Sequence, residues 1–492
     1  MIKNLFKDIA QYLPSMAIPA LVGIVALPIV TRLFLPADYG NYILVITTVS
    51  VLSTLVGWVN MSVVRFYPAY ERDRKTAEFT DSTIKLTLLS ILVISIAFLC
   101  ILFGLRDHIS SNLYNLMRIG ILIFILTSLF TVLLSFLRIK RQINWYSGFF
   151  IWKSITVFIF GVLFVILFHL GVEGLLWGTI LSVGLALPFL WKIALGRLRI
   201  SGKTIPVKHT IEIAKYSFPL VIGNLAAWIL SLSDRYVLQF FRDACEVGIY
   251  SVSYQISQNS ILLLTSLFAL AFNPLAIIIW EKQGEKASQE FLTKGTRYFL
   301  LLCLPAVIGL SVLRIPIIKL LSTSNYYSGA KIIPLVALGV FFLGLNQRFG
   351  VGLSFYKKTH FFMYSLIISS LLNLGLNFFF IPKYGYMAAA ITTLISYVFL
   401  LVLTVIFSRR FFVWEFPFKS LAKSTFASAI MGTVVYYIGN NLTSLLWINL
   451  ILGIFVGAIV YFAALLLLRE FEQSEIQAIL GLKNKIFTKR KL

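Results

Sequence analysis

The sequence predicts an all-α polytopic membrane protein of about fourteen transmembrane helices. Three observations predict it: the composition, the spacing of the apolar runs and the placement of the basic residues. Hydrophobic residues make up 59% of the chain and charged ones only 13%, with a mean hydropathy of +0.90. An ordinary soluble domain is about a quarter charged, and so little polar surface cannot coat a water-soluble body of 492 residues.

Apolar runs of about twenty residues recur from end to end, each long enough to cross a hydrocarbon core of ~30 Å as a helix. They place spans at about 10–34, 42–64, 83–105, 117–137, 147–170 and 175–195. A second set falls at about 214–238, 248–272, 296–315, 331–353, 361–381 and 387–408, and a final pair at about 420–439 and 446–468. The first run follows Lys3 and Lys7 as a signal peptide would. It is too long for the apolar core of one and passes Pro14, Pro19 and Pro28 without a small-residue cleavage site, so it is expected to be retained.

The formal charge of +24 raises nucleic acid as a partner. Distribution answers it: with the N-terminus inside, 34 of the 43 Lys and Arg residues fall at cytoplasmic helix ends and loops, the asymmetry expected of a membrane protein. Both termini are therefore expected in the cytoplasm, and no nucleic-acid partner is needed to explain the charge. External loops of no more than about fifteen residues leave no room for a separate catalytic domain. The longer cytoplasmic segments, 67–82, 196–210, 281–295 and the tail after Arg469, read as solvated connectors and a membrane-surface anchor. Cys100, Cys245 and Cys303 are too scattered for a disulfide framework, and His108, His169, His209 and His360 form no metal-ligand cluster. No phosphate-binding Gly-x-x-x-x-Gly-Lys loop is present, so no cofactor is expected and ATP is not the expected direct energy source.

An internal repeat organises the spans. Tyr12-Leu13-Pro14, Thr31-Arg32 and Asp38-Tyr39-Gly40-Asn41-Tyr42 are echoed by Tyr216-Ser217-Phe218-Pro219, Asp234-Arg235 and Glu246-Val247-Gly248-Ile249-Tyr250. Phe66-Tyr67-Pro68 is echoed by Phe272-Asn273-Pro274, and Gly171–Ser182 by Gly385–Ser396. The order is kept at offsets of about 203 to 214 residues. This gives an N-terminal six-helix lobe (1–205), a C-terminal six-helix lobe (206–412), an added helix pair (413–468) and a basic cytoplasmic tail (469–492). An even number of spans per lobe makes the repeats parallel, related by an axis along the membrane normal.

Through Leu35-Pro36-Ala37-Asp38-Tyr39-Gly40-Asn41-Tyr42, Tyr216–Pro219, Asp234-Arg235-Tyr236, Glu246–Ser251, and Asn373 through Asn377 to Ile381-Pro382-Lys383-Tyr384-Gly385-Tyr386, the chain resembles a known family. It is similar over its whole length to the Wzx-like polysaccharide flippases of the multidrug/oligosaccharidyl-lipid/polysaccharide superfamily. The resemblance implies a MATE-like two-lobed bundle with a central hydrophilic cavity and transport by alternating access. The implied cargo is an undecaprenyl-diphosphate-linked oligosaccharide, carried across the bacterial inner membrane for O-antigen, lipopolysaccharide or exopolysaccharide assembly. The implied partners are that substrate, membrane lipids and other polysaccharide-assembly membrane proteins. A transporter and not an enzyme is expected. Lipid II is an alternative cargo, a cation-coupled drug antiporter an alternative of the same fold, and a glycan polymerase or ligase an alternative of a different class.

A polar headgroup cannot cross hydrocarbon unaided, because each unpaired hydroxyl costs several kcal/mol and a diphosphate more. Arginine suits the diphosphate because its planar fork binds two oxygens and stays charged. The candidates are Arg32, Arg65, Arg235 and Arg348; Arg65 reads first as a helix-end residue that snorkels to the interface. Arg32 and Arg235 occupy matching repeat positions on the side poor in cations, while Arg348 lies deep in a span and is expected to face the cavity. Asp234 is the intramembrane carboxylate that could couple a proton or sodium ion; the competing reading is a structural salt bridge. Asp38 and Glu246 are expected to cap the helices that follow them. Asn224, Gln255, Asn259, Asn346, Asn373 and Asn377 are candidate cavity-lining residues, with interhelical hydrogen bonding the competing role.

Overall fold

The computed structural model describes the backbone of residues 2–196, 207–441, 445–473 and 475, and their side chains from residue 14 onward apart from 207–209, 267, 271 and 439–441. Among the described residues the fold is entirely helical, with no strand. The helices are α1 (Ile2–Leu33), α2 (Pro36–Arg72), α3 (Thr76–Gly104), α4 (Ser111–Ile139), α5 (Ile143–Leu167), α6 (Gly171–Leu195) and α7 (Val207–Leu232). They continue as α8 (Asp234–Phe241), α9 (Ala244–Val312), α10 (Arg314–Leu321), α11 (Ile333–Phe355), α12 (Thr359–Arg409), α13 (Phe418–Asn441) and α14 (Leu446–Leu467), with a 3-10 turn at Ser324–Ile332 before α11.

Eleven helical segments among the described residues are long and apolar enough to cross a membrane. Two of them, α9 and α12, are each a pair of spans joined through a non-helical glycine, Gly284 at φ 78° and Gly385 at φ 57°. Those positive φ values suit glycine, which has no Cβ to clash. With these breaks counted, and with α13, whose 24 residues reach ~36 Å, the segments correspond to the fourteen predicted spans.

The ends differ from expectation in an informative way. Only 73–75 separate α2 from α3, and 281–295 is helical on both sides of Gly284, so two predicted connectors are mostly helix. Helices overrun the membrane there because the backbone satisfies its own hydrogen bonds in water as well as in lipid. Most of the 196–210 connector, and the tail beyond residue 475, lie outside the described residues. The seventh predicted span is bent: α7 stops at Leu232, Ser233 intervenes, and α8 starts at Asp234.

Helix α4 packs on α2 and α6, and α5 on α1 and α6; further along, α11 packs on α9 and α12, and α12 on α7 and α8. Helix α2 reaches across to both α7 and α9, and α13 with α14 forms a pair held against α9. Close approach substitutes for hydrophobic driving force, which lipid does not supply. Thus a Cβ on Gly178 of α6 would fall 2.3 Å from the Gly161 backbone nitrogen of α5.

Candidate functional site

A cavity of about 640 Å³ lies where α1, α2 and α5 face α8 and α9, with Leu175 of α6 and Leu232 of α7 completing the wall. Its apolar wall comes from residues such as Val22, Leu27, Ile43 and Val157, and polar groups interrupt it at chosen points: Tyr39, Tyr42, Thr47, Ser50, Ser154, Ser251, Gln255, Gln258 and Asn259. Among the described residues two cations line it, Lys153 and Arg235, and no Asp or Glu does.

The bend at Ser233 sets Arg235. Because α8 restarts at Asp234, Asp234 and Arg235 lie in its first turn and both are buried, at 1% and 5% exposure. Arg235 Nη1 donates to Asp234 Oδ1 at 2.9 Å and to the Ser231 carbonyl at 3.0 Å. Its guanidinium lies over the rings of Tyr254 (4.8 Å) and Tyr250 (5.5 Å), contacts that favour a desolvated cation. The Tyr250 hydroxyl donates to the other oxygen of Asp234, and the Tyr254 hydroxyl pairs with that of Tyr397 of α12 at 3.2 Å. Arg235 is thus held by a carboxylate, a carbonyl and two rings while it still borders the cavity. Gln255 accepts from Tyr39 of α2 at 3.0 Å. Lys153, on the opposite wall, lies 5.4 Å from the Phe130 ring and forms no ion pair among the described residues.

Of the residues singled out in the sequence, the structure brings Arg235, Gln255 and Asn259 together on the cavity, with Asp234 directly behind Arg235. Arg32, Arg65 and Asn224 are exposed at other places on α1, α2 and α7. Arg348 does not face this cavity: it is 0% exposed, with Phe268, Phe272 and Phe299 around its guanidinium. Asn346, two residues earlier on α11, is also fully buried. Asn373 and Asn377 bond to one another at 3.1 Å, and Thr392 donates to Asn377, stitching together the two spans of α12. The expected caps move as well. Asp38 lies in the first turn of α2 without a capping hydrogen bond, and Asp243, not Glu246, caps α9 by accepting from the Glu246 N–H at 2.8 Å. Glu246 instead accepts from the Tyr386 N–H at 2.9 Å, capping the span that restarts after Gly385. The reason is register: α9 begins at Ala244, which places Glu246 inside the first turn.

Lys153 is a cavity-lining cation that the sequence candidates do not include. Its signal was present: it stands inside the apolar run Phe149–Phe160, where an interface anchor is not needed.

Among the described residues no group of three His, Cys, Asp or Glu side chains is placed to hold a metal. A second, smaller cavity of about 360 Å³, apolar apart from Ser90 and the Trp58 indole, lies between α2, α3 and α7.

Residues 5–276 match the family described as polysaccharide biosynthesis protein, and residues 219–379 match the family described as MatE. The chain is 22% identical over 347 residues to a probable low-salt glycan biosynthesis flippase of Haloferax volcanii, covering 70% of each chain. Among solved structures, an inward closed conformation of the lipid II flippase MurJ is similar at a TM-score of 0.76 and 21% identity, covering 93% of this chain and 98% of that one. An inward-facing multidrug resistance MATE family transporter of the MOP superfamily is similar at 0.58 and 13%, covering 81% and 94%. These likenesses fix the fold as MATE-like.

Proposed function

We propose, from the premise that this chain belongs to the polysaccharide biosynthesis protein family, that it is a flippase moving lipid-linked glycans from one leaflet to the other. The observation that carries the proposal is the cavity lining: Lys153 and Arg235 on facing walls, amides and hydroxyls between them, and no carboxylate among the described residues that line it. A pyrophosphate-linked sugar asks for that combination, cations for the phosphates and neutral polar groups for the sugar hydroxyls. A cationic drug asks for the opposite charge, which disfavours drug export by the same fold.

In this proposal residues 1–205 and 206–412 are the two lobes that move about the cavity, 413–468 is the added helix pair and 469–492 a basic tail, with both termini cytoplasmic. Arg235 and Lys153 hold the phosphates, and Gln255, Gln258 and Asn259 meet the sugar. Asp234 is the proposed coupling group: a proton or a sodium ion on its carboxylate would neutralise it and release the Arg235 guanidinium to the substrate. Arg32, Arg65 and Arg348, together with Asn224, Asn346, Asn373 and Asn377, stand outside the cavity here, and any place on the substrate path belongs to other states of the cycle. An undecaprenyl carrier, O-antigen or related polysaccharide as the product, and the bacterial inner membrane are the finer part of the reading. The Haloferax volcanii relative is described as a glycan biosynthesis flippase with no carrier named, so its support bears on a glycan cargo in general.

The test is headgroup protection in proteoliposomes loaded with defined lipid-linked sugars. Protein-dependent transfer of an oligosaccharide diphospholipid, with its chemistry unchanged, is expected. Transfer of lipid II alone would reassign the cargo, lengthening of the glycan would make the protein a polymerase, and transfer of neither would remove the proposal.

A further inference from the structure

We infer that Gly40 and Gly248, repeat-related residues on α2 and α9, form the closing contact of a gate at one end of the cavity. The two helices meet there backbone to backbone. A Cβ on Gly40 would lie 1.9 Å from the Ala244 carbonyl oxygen and 3.1 Å from the Gly248 nitrogen. A Cβ on Gly248 would lie 1.9 Å from the Pro36 carbonyl oxygen and 3.0 Å from the Pro36 Cα. The contact is reciprocal, each glycine meeting the first turn of the other helix, as a pseudo-twofold between repeats requires. No side chain fits at either place, so the helices close to this distance only because both residues are glycine.

Position turns the contact into a gate. Tyr39 and Tyr42 line the cavity on either side of Gly40 in sequence, and Ser251 lines it one turn after Gly248, so the crossing forms the cavity's end wall. Hydrogen bonds brace the same end: Tyr39 to Gln255 at 3.0 Å, Tyr326 to the Phe34 carbonyl at 3.0 Å, and Thr31 to the Leu321 carbonyl at 3.2 Å. Nearer the opposite end, rings of α2 and α7 meet, Trp58 with Phe218 at 6.1 Å and Phe66 with Tyr216 at 5.6 Å. A molecule leaving at the glycine end must part α2 from α9 at the crossing.

The test reads solvent entry, which does not depend on what is carried. In a cysteine-free background, Ser50→Cys places a thiol on the cavity wall, and an impermeant thiol reagent is added on the side bearing the α1–α2 turn. Gly40→Ala and Gly248→Ala are expected to raise the labelling rate about tenfold or more. Two controls separate a gate from a packing defect. Gly57→Ala, with nothing within 4 Å of its Cβ, and Gly178→Ala, where a Cβ would lie 2.3 Å from the Gly161 nitrogen at a close crossing away from the cavity's end, should leave the rate unchanged. Unchanged labelling in both gate variants at normal membrane levels would overturn the inference, as would an equal rise with Gly178→Ala. Should the gate variants fail to insert, a second arm keeps both glycines: Asp38→Cys and native Cys245, which flank the crossing, are bridged by a reducible bis-maleimide with Cys100 and Cys303 removed. Bridging should stop delivery of lipid-linked oligosaccharide and reduction should restore it, whereas full delivery through the bridged protein would sink the gate. This arm alone rests on the proposed function, so loss of the labelling result and loss of the cargo reading are distinguishable.

Discussion

Arg235 and Arg348 are both buried arginines, one near the end of the seventh predicted span and one deep in the tenth, and the sequence offers both for the anion path. Their surroundings are opposite. Arg235 has a carboxylate at 2.9 Å, a backbone carbonyl at 3.0 Å and an edge on the cavity. Arg348 has three guanidinium nitrogens without a hydrogen-bond partner among the described residues, and rings of Phe268, Phe272 and Phe299 at 4.8, 4.8 and 5.7 Å. Burying a charge unpaired costs several kcal/mol, of which cation–π contacts return ~2 kcal/mol or more when desolvated. The difference teaches that charge inside a membrane helix marks a residue as unusual without saying whether it serves cargo or fold.

Removing Arg235 should have the largest effect and would break the comparison if it did not. Arg235→Ala strands a buried Asp234, which costs ~3–5 kcal/mol of stability, and removes hydrogen bonds to a charged group worth ~1.5–3 kcal/mol, or roughly 10- to 100-fold in delivery. The two losses separate in the double variant Asp234→Asn, Arg235→Met. Thermal unfolding of that variant is expected to return close to wild type while delivery of lipid-linked oligosaccharide stays reduced by roughly 10- to 100-fold. Recovery of both together would make the pair purely structural. Arg235→Lys should restore only part of the delivery, because lysine keeps the charge and loses the fork.

The second effect concerns Arg348 and has the opposite sign for stability. Arg348→Met keeps the length of the side chain and deletes the unpaired charge, so its unfolding midpoint should equal or exceed that of wild type. Delivery should fall less than in Arg235→Ala. A lower midpoint would show that the three rings more than compensate the buried charge; delivery as low as in Arg235→Ala would put Arg348 on the substrate path in a state other than this one.

How much of this was legible in the sequence follows from the same pair. The fourteen spans were readable because a run of twenty apolar residues has one stable outcome in lipid, and the bundle's kinship followed from motifs in order. Asp234-Arg235 was readable as a unit because adjacency in sequence guarantees proximity. The ring cage of Arg348 was not, since Phe268, Phe272 and Phe299 come from both spans of α9 and meet only after Gly284 folds them together. Lys153 was not singled out for a related reason: its place inside an apolar run was visible, but the wall opposite it was not. Glu246 shows the finest limit, where one turn of register moved a cap from its own helix to Tyr386, 140 residues away.

A smaller effect distinguishes both buried arginines from those at helix ends. Arg32 and Arg65 are exposed, so lysine should replace either with delivery unchanged, since both side chains snorkel. Alanine at either should cost less than about twofold in delivery, within the ~0–1 kcal/mol typical of an exposed charge. A tenfold loss at Arg32 would return it to the proposed anion path beside Arg235.

The smallest effect comes from a third arginine, whose partners can be removed with protons. Arg297 of α9 binds Glu470 at 2.8 Å and Glu475 at 2.8 Å, while Ser420 donates to Glu470, Lys423 lies 3.4 Å from its other oxygen, and Tyr298 donates to Glu475. The cluster fastens the segment after α14 to α9 and α13. Burial alone would raise both carboxyls, yet hydrogen bonds from Arg297, from Tyr298 and from the Glu472 N–H together hold Glu475 down to about 2. Glu470 is likewise lowered, against its burial, by Ser420, Arg297 and Lys423. Because these values are depressed in the folded protein, the stability they contribute is fully present above the ordinary glutamate range near 4.5 and is lost as pH falls toward about 2. The unfolding midpoint of purified protein should therefore drop between pH 5 and pH 2, and the drop should be shallower in Glu475→Gln, whose side chain has no proton to gain there. An identical slope in that variant would mean that Glu475 is not held by Arg297, and that the segment after α14 is fastened by Glu470 alone.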